Sequence, residues 1–451
     1  MSVVVESGGS TRIAAGRHRG AVFLFALALL ALWAALAAPL ARAVPTPEED
    51  PFYDYAGGTP LAQIAPGTVL KTRTLAYHVA GIPLPVKAVQ LLYRSTGQTG
   101  QPTVNVTSVL KPPLSLGAPK IVAYQSFYDS LNPDDEPSYA ISGGLTLGGA
   151  IPQVESALFA PELLSGKAIV IADTEGEAAD FAAGPEYGLN TLDSLRAALA
   201  SPATGLSGST KIGLIGYSGG AIATEWAAEL APSYAPDINS RLVGATFGGV
   251  LADPAHNLHY IDGSAVWAGV MPMAIVGISR AFGIDLTSYM SDYGKQVFEQ
   301  LQKASIAEVL GRYPGLTWEQ LAKPQYATPE SVPAYVEVAN QLIMGTGGTP
   351  TIPLQIAQGN RGELEGTAGD KPGIGPGDGV MIAGDVRTLA REYCARGVAV
   401  QYAEYPLDHI GTAVPWIAGA MPWLDARFAG TFAPQNCGQI APGNPLTPIG
   451  Q

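Results

Sequence analysis

The feature that most constrains this chain is a pentapeptide, Gly216-Tyr217-Ser218-Gly219-Gly220, set between two different patterns. Before it runs the apolar, strand-like Lys211 to Ile215, and after it Ile222, Trp226 and Leu230 share one helical face. A sharp turn between a strand and a helix strains the serine backbone, and side chains at Gly216 and Gly220 would crowd the two elements being joined. In a chain with 54 glycines the pentapeptide alone is weak. Its strand–turn–helix context makes it a nucleophile elbow with Ser218 at the tip.

The rest of the chain fits that context. Short β-branched runs alternate with turn signals at Thr68 to Leu75, Lys87 to Tyr93, Val104 to Leu110, Ile121 to Tyr124, Ala168 to Ala172 and Ile212 to Ile215. The later ones are separated by helical patterns such as Leu189 to Leu199, which predicts an α/β fold whose sheet begins antiparallel and becomes mostly parallel. From Pro254 to Gly348 strand-like runs nearly vanish and helical patterns dominate, as in Ser291 to Leu310 and Pro333 to Met344. Alternation resumes with Pro353 to Ala357, a helix over Asp385 to Arg396 and a strand over Val398 to Tyr405. The sequence therefore divides into an α/β-hydrolase core over 44–253 and 349–451, with a mainly helical cap inserted at 254–348 and a Gly- and Pro-containing tail from Gly438.

Residues 1–43 read as a secretory signal peptide: Arg12, Arg17 and Arg19, an apolar stretch from Ala21 to about Leu40, then Ala41-Arg42-Ala43. An uncleaved anchor is the alternative, because the stretch is nearly long enough to span a bilayer. The expectation is export after cleavage near Ala43. The whole chain carries a formal net charge of −13, and the leader holds more basic than acidic residues, so the remainder is more acidic still. Such a surface disfavours nucleic acid and anionic membranes as electrostatic partners. In an exported chain the pair Cys394 and Cys437 predicts one disulfide.

A nucleophilic serine needs a base. Of the five histidines, His18 lies in the leader, and His78 precedes Ser218, contrary to the order Ser, acid, His. His256 and His259 come before the last strands; they lie three apart, but no third ligand at motif spacing accompanies them, so they read as structural rather than metal-binding. His409, just after the strand-like Val398 to Tyr405, is left as the base. The acid falls in the loop between Gln358 and Asp385, which offers Glu363, Glu365, Asp370 and Asp378. Asp378 directly precedes the apolar Val380-Met381, which can pin it to the core, and is preferred; Asp370, amid glycines, is the alternative. One oxyanion donor is the backbone N–H of Gly219, and the segment Gln125 to Ser130 after an earlier strand is the right type to supply a second.

Taken in order, several stretches resemble the secretory lipase family, which includes fungal lipase A enzymes and actinobacterial secreted lipases. They are Asp50-Pro51-Phe52-Tyr53, Tyr124 to Ser130, Pro137-Ser138-Tyr139, Asp173-Thr174-Glu175-Gly176, the pentapeptide, Tyr234-Ala235-Pro236, Gly248-Gly249-Val250, Gln358-Gly359, Tyr393 to Gly397 and Asp408-His409. The resemblance implies an α/β-hydrolase with a helical cap shaping an acyl tunnel, acting on lipid esters. It places the nucleophile on Ser218, the acid on Asp378, the base on His409 and an oxyanion aspartate on Asp129. That aspartate must be protonated to donate, which requires a water-poor site. Two departures stand out: Asp134-Asp135-Glu136 occupies the region where many relatives carry a cysteine, and the acid loop is longer than the compact family form.

The expected function is a secreted serine hydrolase, a triacylglycerol lipase or carboxylesterase, working through an acyl-enzyme on Ser218 and requiring no cofactor. Its partner would be a lipid or acyl-ester substrate, with transient contact to a lipid interface. Cell-envelope lipid or a polyester is the alternative substrate, and a non-catalytic lipid-binding protein is the reading from another class.

Overall fold

A computed structural model describes residues 44–114 and 117–450. The expected signal peptide, 1–43, lies outside them. Nine strands form one sheet: β1 (Val69–Val79), β2 (Ile82–Thr96), β3 (Pro102–Leu110), β4 (Lys120–Gln125), β5 (Ala168–Ala172), β6 (Lys211–Tyr217), β7 (Leu242–Gly248), β8 (Leu354–Gly359) and β9 (Val400–Tyr405). Their order is β1-β2-β3-β5-β4-β6-β7-β8-β9. The pairs β1/β2, β2/β3 and β3/β5 are antiparallel, and every later pair is parallel. This is the α/β fold with an antiparallel start that the alternation predicts.

The central strands are buried on both faces, so they read as continuous apolar runs. Ala168–Ala172 is buried at every position. One face packs against the helices Gly184–Ala200 and Gly219–Tyr234, with Leu192, Leu195, Ile222 and Trp226 in the core. The other face receives the helix His409–Phe428 through Trp416, Trp423 and Leu424.

One strand escaped the sequence pattern. β7 is Leu-Val-Gly-Ala-Thr-Phe-Gly, whose two glycines weaken any strand signal. Close packing explains the first: a Cβ on Gly244 would lie 2.9 Å from the Trp423 ring. The sheet at this point has room for the indole and for nothing else.

Between β7 and β8 the chain forms the helices Pro254–Ile261, Val270–Phe282, Asp292–Leu301, Ile306–Val309, Trp318–Leu321 and Pro333–Asn340. They bury a second apolar core of their own, including Leu258, Met273, Phe298, Leu321 and Val338. The pattern over Ser291 to Leu310 predicts one helix, but two form. The chain breaks before Ser305, whose backbone N–H is taken by the Glu308 carboxylate at 2.9 Å, restarting a helix with a capping box. At the break, Ile306 N–H donates to the Asp129 carbonyl at 2.7 Å and Leu131 N–H to the Ala304 carbonyl at 3.0 Å. This short ladder joins the helical insertion to the loop after β4.

Cys394, near the end of the helix Ala383–Ala395, forms a disulfide with Cys437, with Cα atoms 5.6 Å apart. No helix among the described residues is long and apolar enough to cross a membrane.

Candidate active site

β6 delivers Ser218 to the end of the sheet and the helix Gly219–Tyr234 leaves from it. At φ 54° and ψ −122°, the serine sits in a region side chains rarely adopt. The turn is held because Ser218 N–H donates to the Gly248 carbonyl of β7 at 2.9 Å, while the Ser218 carbonyl accepts from Ala221 at 2.8 Å. Glycine is required on both sides: a Cβ on Gly216 would lie 2.0 Å from the Gly220 carbonyl oxygen, and one on Gly220 would lie 2.1 Å from that of Gln125.

His409 Nε2 lies 2.8 Å from Ser218 Oγ. The imidazole is the first side chain of the helix His409–Phe428, capped by Asp408, whose Oδ1 accepts Gly411 N–H at 2.6 Å. Its backbone N–H donates to the Asp378 carbonyl at 2.7 Å, and its Nδ1 lies 2.8 Å from Asp378 Oδ2. Asp378 is fully buried, with hydrogen-bond donors on both of its oxygens. Its Oδ1 accepts the N–H groups of Val380 (3.1 Å) and Met381 (2.7 Å), and its Oδ2 accepts Gln358 Nε2–H at 2.9 Å. The Asp370 alternative lies exposed in the same loop and makes no bond to the histidine. Burial alone would lower the His409 pKa; the carboxylate of Asp378 first, then Glu365 and Asp129, overcome it and raise the value.

Aromatic walls fix the ring. Tyr217 and Trp267 stand 5.1 Å and 5.3 Å from it, the latter edge-on, and a Cβ on Gly249, where φ is +58°, would lie 2.6 Å from its Cε1. Trp267 comes from the helical insertion and donates its indole N–H to Glu365 Oε2 at 2.6 Å. Glu365 Oε1 also accepts Ile410 N–H at 3.2 Å, and burial pushes this carboxyl up to about 7. Trp267, Gly249 and a positioned Glu365 are the neighbours that sequence reasoning missed or left without a role. The signals available were Gly248-Gly249 at a strand end and a glutamate already among the loop acids.

Asp129 closes the other side of Ser218. It is buried, has φ +37°, and its carboxyl lies so close to Gly219 that a Cβ there would sit 1.7 Å from Oδ1. Burial raises its pKa to about 7, against a lowering pull from His409. Next to Ser218, Gly219 and Asp129 opens a narrow chamber. Its walls are almost wholly apolar, with Leu258, Met271, Ile275 and Ile278 contributed by the helical insertion.

The other histidines among the described residues lie elsewhere. His256 Nδ1 is 3.1 Å from Asp385, His259 is paired with Glu330, and His78 contacts the Ile141 carbonyl. Among the described residues no three His, Cys, Asp or Glu side chains are grouped to hold a metal ion.

Residues 143–372 match the family profile described as Secretory lipase. The chain belongs to the secretory lipase family. A probable inactive lipase of Mycobacterium tuberculosis is 31% identical over 391 residues, covering 85% of this chain and 83% of that protein. Lipase 4 of Candida albicans is 30% identical over 438 residues, covering 93% and 88%. Among solved structures, Candida antarctica lipase A in its closed state superposes with a TM-score of 0.76 at 25% identity, covering 90% of this chain and 91% of that one. Family and fold together put this secretory lipase among hydrolases of lipid esters.

Proposed function

We propose that this secretory lipase is an exported and active serine hydrolase that cleaves carboxylic esters of lipids through an acyl-enzyme on Ser218. The observation that carries the reading is the unbroken line from Ser218 Oγ through His409 to Asp378, two contacts of 2.8 Å, opening into an apolar chamber. His409 takes the Ser218 proton as Oγ attacks the ester carbonyl, and Asp378 holds the imidazolium. The Gly219 N–H and the protonated Asp129 carboxyl stabilise the oxyanion. His409 then protonates the leaving alcohol, and a water activated by the same imidazole releases the acid. The acyl chain lies along the apolar wall that the helical insertion supplies as a cap.

Export is supported by the family, by the disulfide and by the leader-like residues 1–43. The test is hydrolysis of p-nitrophenyl esters of graded chain length beside a Ser218→Ala variant. The reading expects activity with long chains, abolished in the variant; activity confined to short chains would replace lipase by carboxylesterase. A second reading, a lipid-binding protein without catalysis, draws on the relative named a probable inactive lipase. It requires that well-folded protein show no hydrolysis at all.

A further inference from the structure

Behind the Asp129 turn lies a carboxyl group that the reaction as described does not use. Glu175, just after β5, is fully buried. Its two oxygens share the N–H of Ser130, at 3.2 and 3.1 Å, the residue that follows Asp129. Oε1 also accepts the Tyr187 hydroxyl at 2.9 Å. The same hydroxyl accepts Ala182 N–H at 2.8 Å, so its proton is left to point at Glu175. The backbone N–H of Glu175 in turn donates to Tyr128 Oη at 3.0 Å, tying the acid to the same loop.

The two acids have opposite surroundings. Donors converge on Glu175. The Asp129 carboxyl receives no hydrogen bond among the described residues and faces Gly219 and the apolar chamber. Charged and titratable groups around Glu175 are Asp135 and Glu136 from the turn before Pro137, Tyr128 beside β4, Tyr187 of the helix Gly184–Ala200, Asp129 itself, and Arg280 of the helical insertion, whose first carboxyl partner is Asp180. Arg280 is the cation of the set and sits where it can favour a carboxylate, its guanidinium bonded to the carbonyls of Leu131 (3.1 Å) and Ala179 (3.0 Å). Burial raises both carboxyls, Glu175 the more strongly and with the charge of Asp129 adding to it; the hydrogen-bond donors, which converge on Glu175 alone, set where the charge of the pair sits.

We propose that Glu175 is a positioning residue: its carboxylate holds the Asp129 turn through Ser130 and carries the negative charge of the pair, which leaves the proton on Asp129, where it is donated to the oxyanion. The proposal rests on the serine-hydrolase reading above. A carboxylate at Glu175 satisfies every donor aimed at it, whereas a carboxylate at Asp129 would face the apolar chamber without a donor among the described residues. The turn is thus held from two sides, by Glu175 from the core and by Ile306 from the helical insertion.

The test is the pH profile of kcat for wild type, Glu175→Gln, Asp129→Asn and the double variant. Glutamine keeps an acceptor for Ser130 and Tyr187 but removes the charge. The alkaline limb, set by Asp129 ionisation, should then move down by about one pH unit or more, with KM little changed and kcat near wild type at low pH. Asp129→Asn should lack that limb, and Glu175→Gln should add no pH shift to it. A kcat lowered by one factor at every pH, an unmoved limb, or an equal shift in the double variant would overturn the proposal. Should Glu175→Gln fail to fold, Tyr187→Phe removes a single donor, and a smaller shift in the same direction is required of it. Infrared titration of the carboxylic acid C=O band in Ser218→Ala reads the pair without activity. The component of the band that Asp129→Asn removes should titrate lower with Glu175→Gln; a band from which Asp129→Asn removes nothing, or whose Asp129 component Glu175→Gln leaves unmoved, refutes the proposal even if the protein hydrolyses nothing.

Discussion

Gly219→Ala isolates the oxyanion side of the site, because a single methyl group meets a single carboxyl. Gly219 opens a helix and has no positive φ, so alanine fits its backbone and by propensity would favour the helix by up to about 1 kcal/mol. The cost is local. The new Cβ would lie 1.7 Å from Asp129 Oδ1, well inside contact distance, so the carboxyl must retreat by more than an ångström from the oxyanion it would serve. The Gly219 N–H remains in place. Loss of one such donor lowers kcat by about 100- to 1,000-fold, roughly 3–4 kcal/mol of transition-state stabilisation. The assay is steady-state hydrolysis of a p-nitrophenyl ester beside thermal unfolding of the same preparation. The expected outcome is a kcat fall of that size with KM changed only a few-fold and a midpoint within a few degrees of wild type. Full activity in Gly219→Ala would refute the placement of Asp129 as a donor. A collapse in stability would show that the glycine serves packing instead.

Other consequences can be measured alongside. Replacing Cys394 by serine opens a link between residues 43 apart, and chain entropy puts the loss near 4 kcal/mol, read as a lower denaturation midpoint with activity retained in the cold. Gly249→Ala pushes a methyl group against the His409 ring at a backbone angle that disfavours alanine, so kcat should fall at least tenfold while substrate binding holds; an unchanged kcat would mean the ring has slack. Ala274→Trp should fill the chamber and abolish hydrolysis of long-chain esters while sparing short ones, and equal loss at every chain length would count against an acyl site there. Burial raises Glu155 from 4.5 to about 8, so the native state keeps a proton that the unfolded chain has lost. Its contribution is therefore intact below the unfolded pKa and declines as pH rises through that window, by about 1.4 kcal/mol per pH unit; Glu155→Gln should flatten that decline in denaturant titrations at successive pH values.

Much of this architecture is written locally in the chain. Strands such as Ala168–Ala172 announce themselves because both faces are buried and the run is continuously apolar. The elbow is legible because a strand, two close-approach glycines and a helix must be adjacent in sequence to make it. Elimination isolates His409 because histidines are scarce and the order of the elements is restrictive. Choosing among the loop acids depends on partners remote in sequence: Gln358 from β8 and the His409 backbone surround Asp378, while Asp370 meets none of these groups. β7 is obscured by glycines whose reason is Trp423, far along the chain. Trp267 beside His409 and Glu175 behind Asp129 are likewise tertiary facts, since each acts on a residue more than forty positions away. The break before Ser305 reflects the loop after β4, which a helical pattern cannot anticipate.

The central claim is an acyl-enzyme on Ser218, and it is tested most directly by trapping. The protein is incubated with a long-chain alkyl fluorophosphonate and the labelled peptide is located by mass spectrometry, with His409→Ala beside it. The account predicts one label per chain, on Ser218, with ester hydrolysis lost in step and labelling slowed at least a hundredfold in His409→Ala. Folded protein that takes no label, or takes it on another residue while hydrolysis continues, would contradict the account.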